Sequence, residues 1–122
     1  MFVSSDLALR PLPFMVPYSA AKMAQLTLAR GLAEMTAGSE VRVNAVLAGL
    51  TLTERTERIL RGTAEGHGIP FAKFMQDYFH DPACSHVAAV GHATSLIKRL
   101  LQPEEVANLI VYLCSQLSSG PN

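Results

Sequence analysis

Two short apolar stretches decide the fold: MFVSS at residues 1–5 and VRVNAVL at residues 41–47. Both have the apolar or β-branched composition of buried strands. Between them, three prolines predict a loop over residues 6–17, and good helix formers predict a helix from Tyr18 to about Ala37. A strand, a helix and a second strand in this order form a parallel, right-handed crossover. The chain is therefore predicted to be an α/β protein.

This sheet needs more strands than the two that the sequence predicts. Two parallel strands are too few for a stable sheet, and parallel sheets are normally covered on both faces. The helix is apolar on nearly every side, apart from a narrow stripe around Lys22, Gln25, Arg30 and Glu34, so it should also be covered on more than one side. Gly38 is expected to end it. The sequence thus describes one end of a larger α/β sheet.

Four further segments have helical or turn character. A charged helical segment is predicted over Thr53 to Arg61, followed by a glycine-rich break at residues 62–68 and a helix near Pro70–Phe79. The last helix starts at Pro103, with acidic residues in its first turn. It has one apolar face, made of Val106, Leu109, Ile110 and Leu113.

The composition excludes several classes of protein. Ten basic residues balance ten acidic residues, so a nucleic-acid or anionic-membrane partner is not expected. No apolar stretch is long enough to cross a bilayer, and MFVSSDLALR lacks the features of a signal peptide. Cys84 and Cys114 show no disulfide framework, which favours reduced thiols in the cytoplasm. The expectation is a cytoplasmic protein without a metal site.

Three side chains around the first crossover predict acid–base chemistry. Tyr18 and Lys22 are four residues apart, so they share one face of the helix, and Ser5 ends the preceding strand. An ordinary phenol loses its proton only at about pH 10, but a neighbouring ammonium favours the phenolate. Tyr18 is therefore the expected acid or base, Lys22 is expected to stabilise its phenolate form, and Ser5 is expected to hold the substrate oxygen.

The spacing of Ser5, Tyr18 and Lys22 resembles that of the short-chain dehydrogenase/reductase family, whose catalytic motif is YxxxK. Two further segments resemble the family in register: VNAVLAG at residues 43–49 and LQPEEVA at residues 101–107. The resemblance covers essentially the whole chain. It is much more specific than a lone YxxxK pair.

The resemblance implies a Rossmann-like, doubly wound parallel sheet, of which residues 1–122 are the C-terminal part of a single domain. It implies hydride transfer between NAD or NADP and a small-molecule carbonyl or alcohol. By the same resemblance, the catalytic residues are Ser5, Tyr18 and Lys22. The cofactor-binding residues are then Tyr18, Lys22, Gly49, Thr51 and Thr53. The complete protein is expected to be a homodimer or homotetramer.

The chain departs from the family pattern in ways that affect its activity. Ala48 replaces the proline of the family's Pro-Gly pair, and the glycine-rich phosphate turn expected before this segment is absent. The truncated chain is therefore expected to be impaired. The alternative is a non-catalytic remnant or interaction fragment. Titration with NADPH discriminates the two, because saturable micromolar binding counts against the remnant.

Four other patterns have a competing interpretation. Residues 62–68 spell GxxxGxG but follow a charged segment, which favours a flexible turn over a phosphate loop. Ser19 and Lys22 spell the SxxK of serine acyl-enzymes, but the companion motifs are missing. A histidine and cysteine cluster lacks the paired spacing of a zinc site; its members are His67, His80, Cys84, His86 and His92. The family resemblance implies a substrate lid in this region, and the apolar lid residues suggest an apolar substrate: Phe71, Phe74, Met75, Tyr78 and Phe79.

Overall fold

The computed structural model describes residues 1–81 and 96–120. These residues form two compact units, one made of residues 1–49 and 104–122 and the other of residues 50–103. Each unit is described by itself. The expectation that residues 1–122 belong to a single domain stays a prediction.

The first unit is built on the predicted strand–helix–strand crossover. Strand β1 (Phe2–Ser5) pairs in parallel with β2 (Ala45–Ala48), with Phe2 opposite Ala45 and Ser5 opposite Ala48. Helix α1 (Val16–Met35) connects them. Helix α4 (Pro103–Cys114) and a 3₁₀ turn at Gln116–Ser118 follow at the end of the chain. The α/β fold class is confirmed.

The predicted strand and helix boundaries need small corrections. β2 covers Ala45–Ala48 rather than residues 41–47, and its pairing with β1 runs from Ala45 opposite Phe2 to Ala48 opposite Ser5. α1 starts two residues before Tyr18 because Pro17 fits the first helical turn, where its missing N–H has no helical partner to lose. Gly38 adopts a positive φ of 81° just beyond the helix. A left-handed conformation of this kind favours glycine at a helix end.

Helix α1 exposes much of the apolar surface that the sequence shows. Only Ser19 and Ala29 are buried along it. Leu28, Leu32 and Met35 are exposed, Met35 to 82% of its surface. The expected cover on more than one side of α1 is thus absent among the described residues.

The Arg42 guanidinium holds the end of the chain against the residues that precede β2. It donates hydrogen bonds to the backbone carbonyl of Ser118, to the Ser118 hydroxyl at 3.1 Å and to the Ser115 carbonyl at 3.2 Å. Ser118 is completely buried. A planar cation with several donors suits a turn that presents several carbonyls.

In its described residues, the second unit contains helices α2 (Glu54–Gly66) and α3 (Phe71–His80) and short extended segments on either side of them. Thr51 forms a parallel bridge with Leu101. The Leu52 amide donates to the Leu101 carbonyl at 2.8 Å, and the Leu101 amide donates to the Leu50 carbonyl at 3.0 Å. The core between the helices comprises Leu60, Ala64, Phe74, Tyr78, Phe79 and Leu100.

The glycine-rich break predicted at residues 62–68 is wrong in its first half. α2 continues through Gly62 and ends at Gly66. Leu60 and Ala64 lie one turn apart and are both buried in the core, and this burial outweighs the cost of a helical glycine, about 1 kcal/mol. Gly68, with a φ of 67°, makes the turn that follows. A glycine inside a helix cannot cradle phosphates, so the GxxxGxG pattern is a helix end.

The aromatic residues expected in a substrate lid instead form the core of the second unit. Phe74 is fully buried, and Tyr78 and Phe79 are each 7% exposed. The Phe74 and Tyr78 rings stack with centroids 5.9 Å apart, and Tyr78 and Phe79 meet edge to face at 5.2 Å. Phe71 and Met75 pack against the same cluster. Their apolar character is explained by packing and carries no information about a substrate.

Replacing Thr53 with alanine should destabilise α2 by about 1 kcal/mol. The Thr53 hydroxyl accepts a hydrogen bond from the Thr56 amide at 3.2 Å and so caps the helix. Urea denaturation of the two proteins measures the difference. Thr63→Ala in the same helix is the control, because the Thr63 hydroxyl only bonds the Ile59 carbonyl one turn back, and its loss should cost almost nothing. Equal midpoints for Thr53→Ala and the unaltered chain would contradict the capping role.

Candidate active site

Tyr18 and Lys22 come together on the first turns of α1, as their spacing predicts. The Lys22 Nζ atom lies 5.7 Å from the centroid of the Tyr18 ring, within the range of a cation–π contact. The Tyr18 side chain is 42% exposed and is therefore accessible to a ligand. A cation beside an accessible tyrosine ring is compatible with general acid–base catalysis by its hydroxyl.

The ammonium of Lys22 reaches across to β1. It donates to the backbone carbonyl of Val3 at 3.0 Å and to Gln25 Oε1 at 3.2 Å. In the opposite direction, the Ser4 hydroxyl donates to the backbone carbonyl of Lys22 at 2.9 Å. The lysine is therefore held to the strand by both its main chain and its side chain.

Ser5 lies at the end of β1 and is 7% exposed. Its hydroxyl accepts from the Leu7 amide at 3.2 Å and donates to Asp6 Oδ1 at 3.3 Å. Among the described residues, the hydrogen bonds of this hydroxyl are local and do not join it to Tyr18 or Lys22. To hold a substrate oxygen, the single donor of Ser5 would have to turn away from the Asp6 carboxylate.

The residues expected to face a nicotinamide lie in different settings. Gly49 follows β2 directly and belongs to the first unit. Thr51 and Thr53 belong to the second unit, where Thr51 is part of the bridge to Leu101 and Thr53 caps α2. The cofactor-binding role of all three stays a prediction.

Two competing interpretations of the site residues can be compared with the structure. Ser19, the nucleophile of the SxxK pattern, is 4% exposed and its hydroxyl has no hydrogen-bond partner among the described residues. A buried serine of this kind cannot attack a substrate. Within residues 1–81 and 96–120, no three His, Cys, Asp or Glu side chains are grouped to hold a metal ion. Cys84, His86 and His92 of the imagined zinc cluster lie outside the described residues.

The groups around Tyr18 fit one end of a dinucleotide. The lysine ammonium has three N–H donors, and within residues 1–81 and 96–120 it donates to the Val3 carbonyl and to Gln25 Oε1, so a third donor would be open to a ribose hydroxyl. The phosphates require a glycine turn that leads from a strand into a helix N-terminus. The described part of the chain contains no such element.

No helix in that part is both long and apolar enough to span a membrane.

Sequence reasoning missed the residues that hold Lys22 in place. Ser4 faces α1 because successive strand residues point to opposite faces of a sheet, and Gln25 lies three residues beyond Lys22 on the same helix face. Both relations were readable from the sequence. The acceptor role of the Val3 carbonyl was not, because it depends on how α1 lies against β1.

Comparisons with known proteins show the family to which the chain is similar. The short chain dehydrogenase family model matches residues 1–64. The chain is 42% identical to the uncharacterized oxidoreductase YvrD of Bacillus subtilis (strain 168) over 120 residues, which is 98% of this chain and 42% of that protein. It is 34% identical over 119 residues to dehydrogenase/reductase SDR family member 4 of Bos taurus, which is 98% of this chain and 35% of that protein.

A solved structure extends the similarity to three dimensions. The crystal structure of a short chain dehydrogenase family protein from Francisella tularensis subsp. tularensis SCHU S4 superposes with a TM-score of 0.73 at 26% sequence identity. The match covers 96% of this chain and 44% of that one. The chain thus spans less than half the length of each of these relatives. Its fold, its motif spacing and the match to the family model agree, and the chain belongs to the short-chain dehydrogenase family.

Proposed function

We propose that this chain provides the acid–base part of an oxidoreductase active site that interconverts a carbonyl and an alcohol with NAD or NADP. The observation that carries the proposal is the Lys22 ammonium, which lies 5.7 Å from the Tyr18 ring centroid and is anchored on β1. The family's oxidoreductase relatives support the same class of reaction. That the substrate is a small molecule and that the cofactor is NAD or NADP are both part of the proposal.

In the direction of reduction, the Tyr18 hydroxyl gives its proton to the carbonyl oxygen. The O–H bond of the phenol breaks, a new O–H bond forms on the substrate, and the phenolate remains on Tyr18. The Lys22 cation stabilises that phenolate, and the Ser5 hydroxyl orients the substrate oxygen once it has turned from Asp6. When bound, the reduced nicotinamide supplies the hydride that the carbonyl carbon accepts. Oxidation of an alcohol follows the same steps in reverse, with Tyr18 as the base.

We further propose that the complete enzyme is a homodimer or homotetramer. The exposed apolar side chains of α1 support this, because an apolar surface rarely stays open to water without a partner. Analytical ultracentrifugation of the complete enzyme would measure the oligomeric state.

Replacing Lys22 with methionine should lower kcat/KM for carbonyl reduction about tenfold or more. The substitution keeps the unbranched stem and removes the cation that stabilises the phenolate. The test protein is a chimera in which the part of YvrD that precedes the matched segment is joined to Met1 of this chain. Its activity is measured on a panel of aldehydes and ketones by the consumption of NADH or NADPH.

Arg30→Met is the matched control for Lys22→Met. Arg30 is another cation on α1, 76% exposed and paired with Glu34, so its loss should change kcat/KM by less than about twofold. A chimera that reduces no member of the panel, or one in which both substitutions have the same effect, would refute the proposed function.

A further inference from the structure

The ammonium of Lys22 has two neighbours that the YxxxK motif does not name. We propose that Ser4 and Gln25 are positioning residues that hold Lys22 beside Tyr18; the inference rests on the proposed function for its catalytic consequence. Each makes one hydrogen bond to Lys22, Ser4 to its carbonyl at 2.9 Å and Gln25 to its Nζ atom at 3.2 Å.

The pairing of β1 and β2 explains why Lys22 reaches the strand. The Phe2 amide donates to the Asn44 carbonyl at 2.9 Å, so the backbone groups of Phe2 point toward β2. In a parallel pair the next residue points its backbone groups the other way. The Val3 carbonyl therefore points away from β2, and the Lys22 ammonium donates a hydrogen bond to it at 3.0 Å.

Ser4 fixes the helical turn that carries the lysine. It is 3% exposed, and its hydroxyl is the donor of a bond that joins residues 18 positions apart in the chain. Loss of the hydroxyl would leave the Lys22 carbonyl with only its helical partner. The distance between β1 and this turn of α1 would then no longer be set by a direct hydrogen bond.

Gln25 fixes the end of the side chain. A lysine stem has several rotatable bonds, so one acceptor leaves the ammonium free to swing around that contact. The Val3 carbonyl and the Gln25 amide oxygen, on different elements, hold the ammonium from two sides.

Hydrogen exchange of the lysine ammonium tests both residues directly in this chain. NMR of isotope-labelled lysine follows its three lysines, with Lys73, paired with Asp77 at 3.1 Å, as the internal reference. Gln25→Met, nearly the same size without an acceptor, should speed exchange at Lys22 about three- to tenfold. Gln25→Glu, which keeps an acceptor, should retain slow exchange.

Ser4 is tested in the same way with variants that differ in the hydroxyl. Ser4→Ala should speed exchange at Lys22, and Ser4→Thr, which keeps the hydroxyl, should not. Ser4→Cys is the second variant without a strong donor, for use if the alanine form does not fold. Unchanged exchange in Gln25→Met overturns the inference for Gln25, and unchanged exchange in Ser4→Ala or Ser4→Cys overturns it for Ser4.

Kinetics of the YvrD chimera separate this inference from the proposed function. Gln25→Met should lower kcat about tenfold, while KM changes by less than about twofold. Gln25→Glu, which keeps an acceptor, should have the kcat of the unaltered chimera. Thr27→Ala, on the exposed part of α1, should have no effect on kcat. If Tyr18→Phe retains full activity, the proposed function fails while the exchange result stands. If Tyr18→Phe removes activity and Gln25→Met leaves kcat unchanged, the positioning inference alone fails.

Discussion

Replacing Tyr18 with phenylalanine in the YvrD chimera should lower kcat for carbonyl reduction by about 10²- to 10⁴-fold, the usual contribution of a positioned acid–base group. The substitution removes only the hydroxyl that gives the proton. It keeps the ring, and therefore the contact with the Lys22 ammonium at 5.7 Å. Because the Tyr18 side chain is 42% exposed, its replacement should leave the fold intact.

Tyr112→Phe is the matched control for Tyr18→Phe. Tyr112 lies on α4, is 48% exposed and has no part in the proposed chemistry, so the same loss of a phenol hydroxyl should leave kcat unchanged. Rates are measured by the consumption of NADH or NADPH at saturating substrate, so that a change in binding does not obscure a change in the chemical step. A Tyr18→Phe chimera that still reduces carbonyls at the original rate would refute Tyr18 as the acid.

Replacing Phe74 with alanine should destabilise the second unit by about 3–5 kcal/mol. The Phe74 side chain is fully buried among α2 and α3, and its ring stacks on Tyr78 at 5.9 Å. Its removal loses the burial of the ring and leaves a cavity that the surrounding side chains fill only in part. Urea denaturation followed by the circular dichroism of the helices measures the change.

Phe14→Ala is the control for the loss of a phenyl ring. Phe14 is 60% exposed, so its removal should cost less than about 1 kcal/mol. If Phe74→Ala were no more destabilising than Phe14→Ala, the second unit would not depend on the core described above.

The strands and helices that depend on short sequence patterns could be predicted from the sequence. β1, β2 and α1 follow from apolar runs and helix formers separated by prolines. The last helix starts at Pro103 because proline suits a first turn, and the acids Glu104 and Glu105 suit the positive end of a helix. The pairing of Tyr18 with Lys22 needed only the helical repeat.

Packing decided the features that the sequence analysis did not predict correctly. Gly62 lies inside α2 because Leu60 and Ala64 on either side are buried against α3. The same burial accounts for Phe74, which a sequence cannot tell from an aromatic residue that contacts a ligand. The bounds of β2 are set by its pairing with β1, from Ala45 opposite Phe2 to Ala48 opposite Ser5, and a pairing register cannot be read from one strand's sequence.

By itself, the sequence determined the α/β class, the order of the elements and the neighbouring positions of Tyr18 and Lys22, because strand and helix periods act over a few residues. Only the tertiary structure decided that Lys22 donates to the Val3 carbonyl and that Ser4 holds the helix at that point. Those contacts join residues 18 and 19 positions apart. They form only when α1 packs on β1, a step governed by the burial of both elements together.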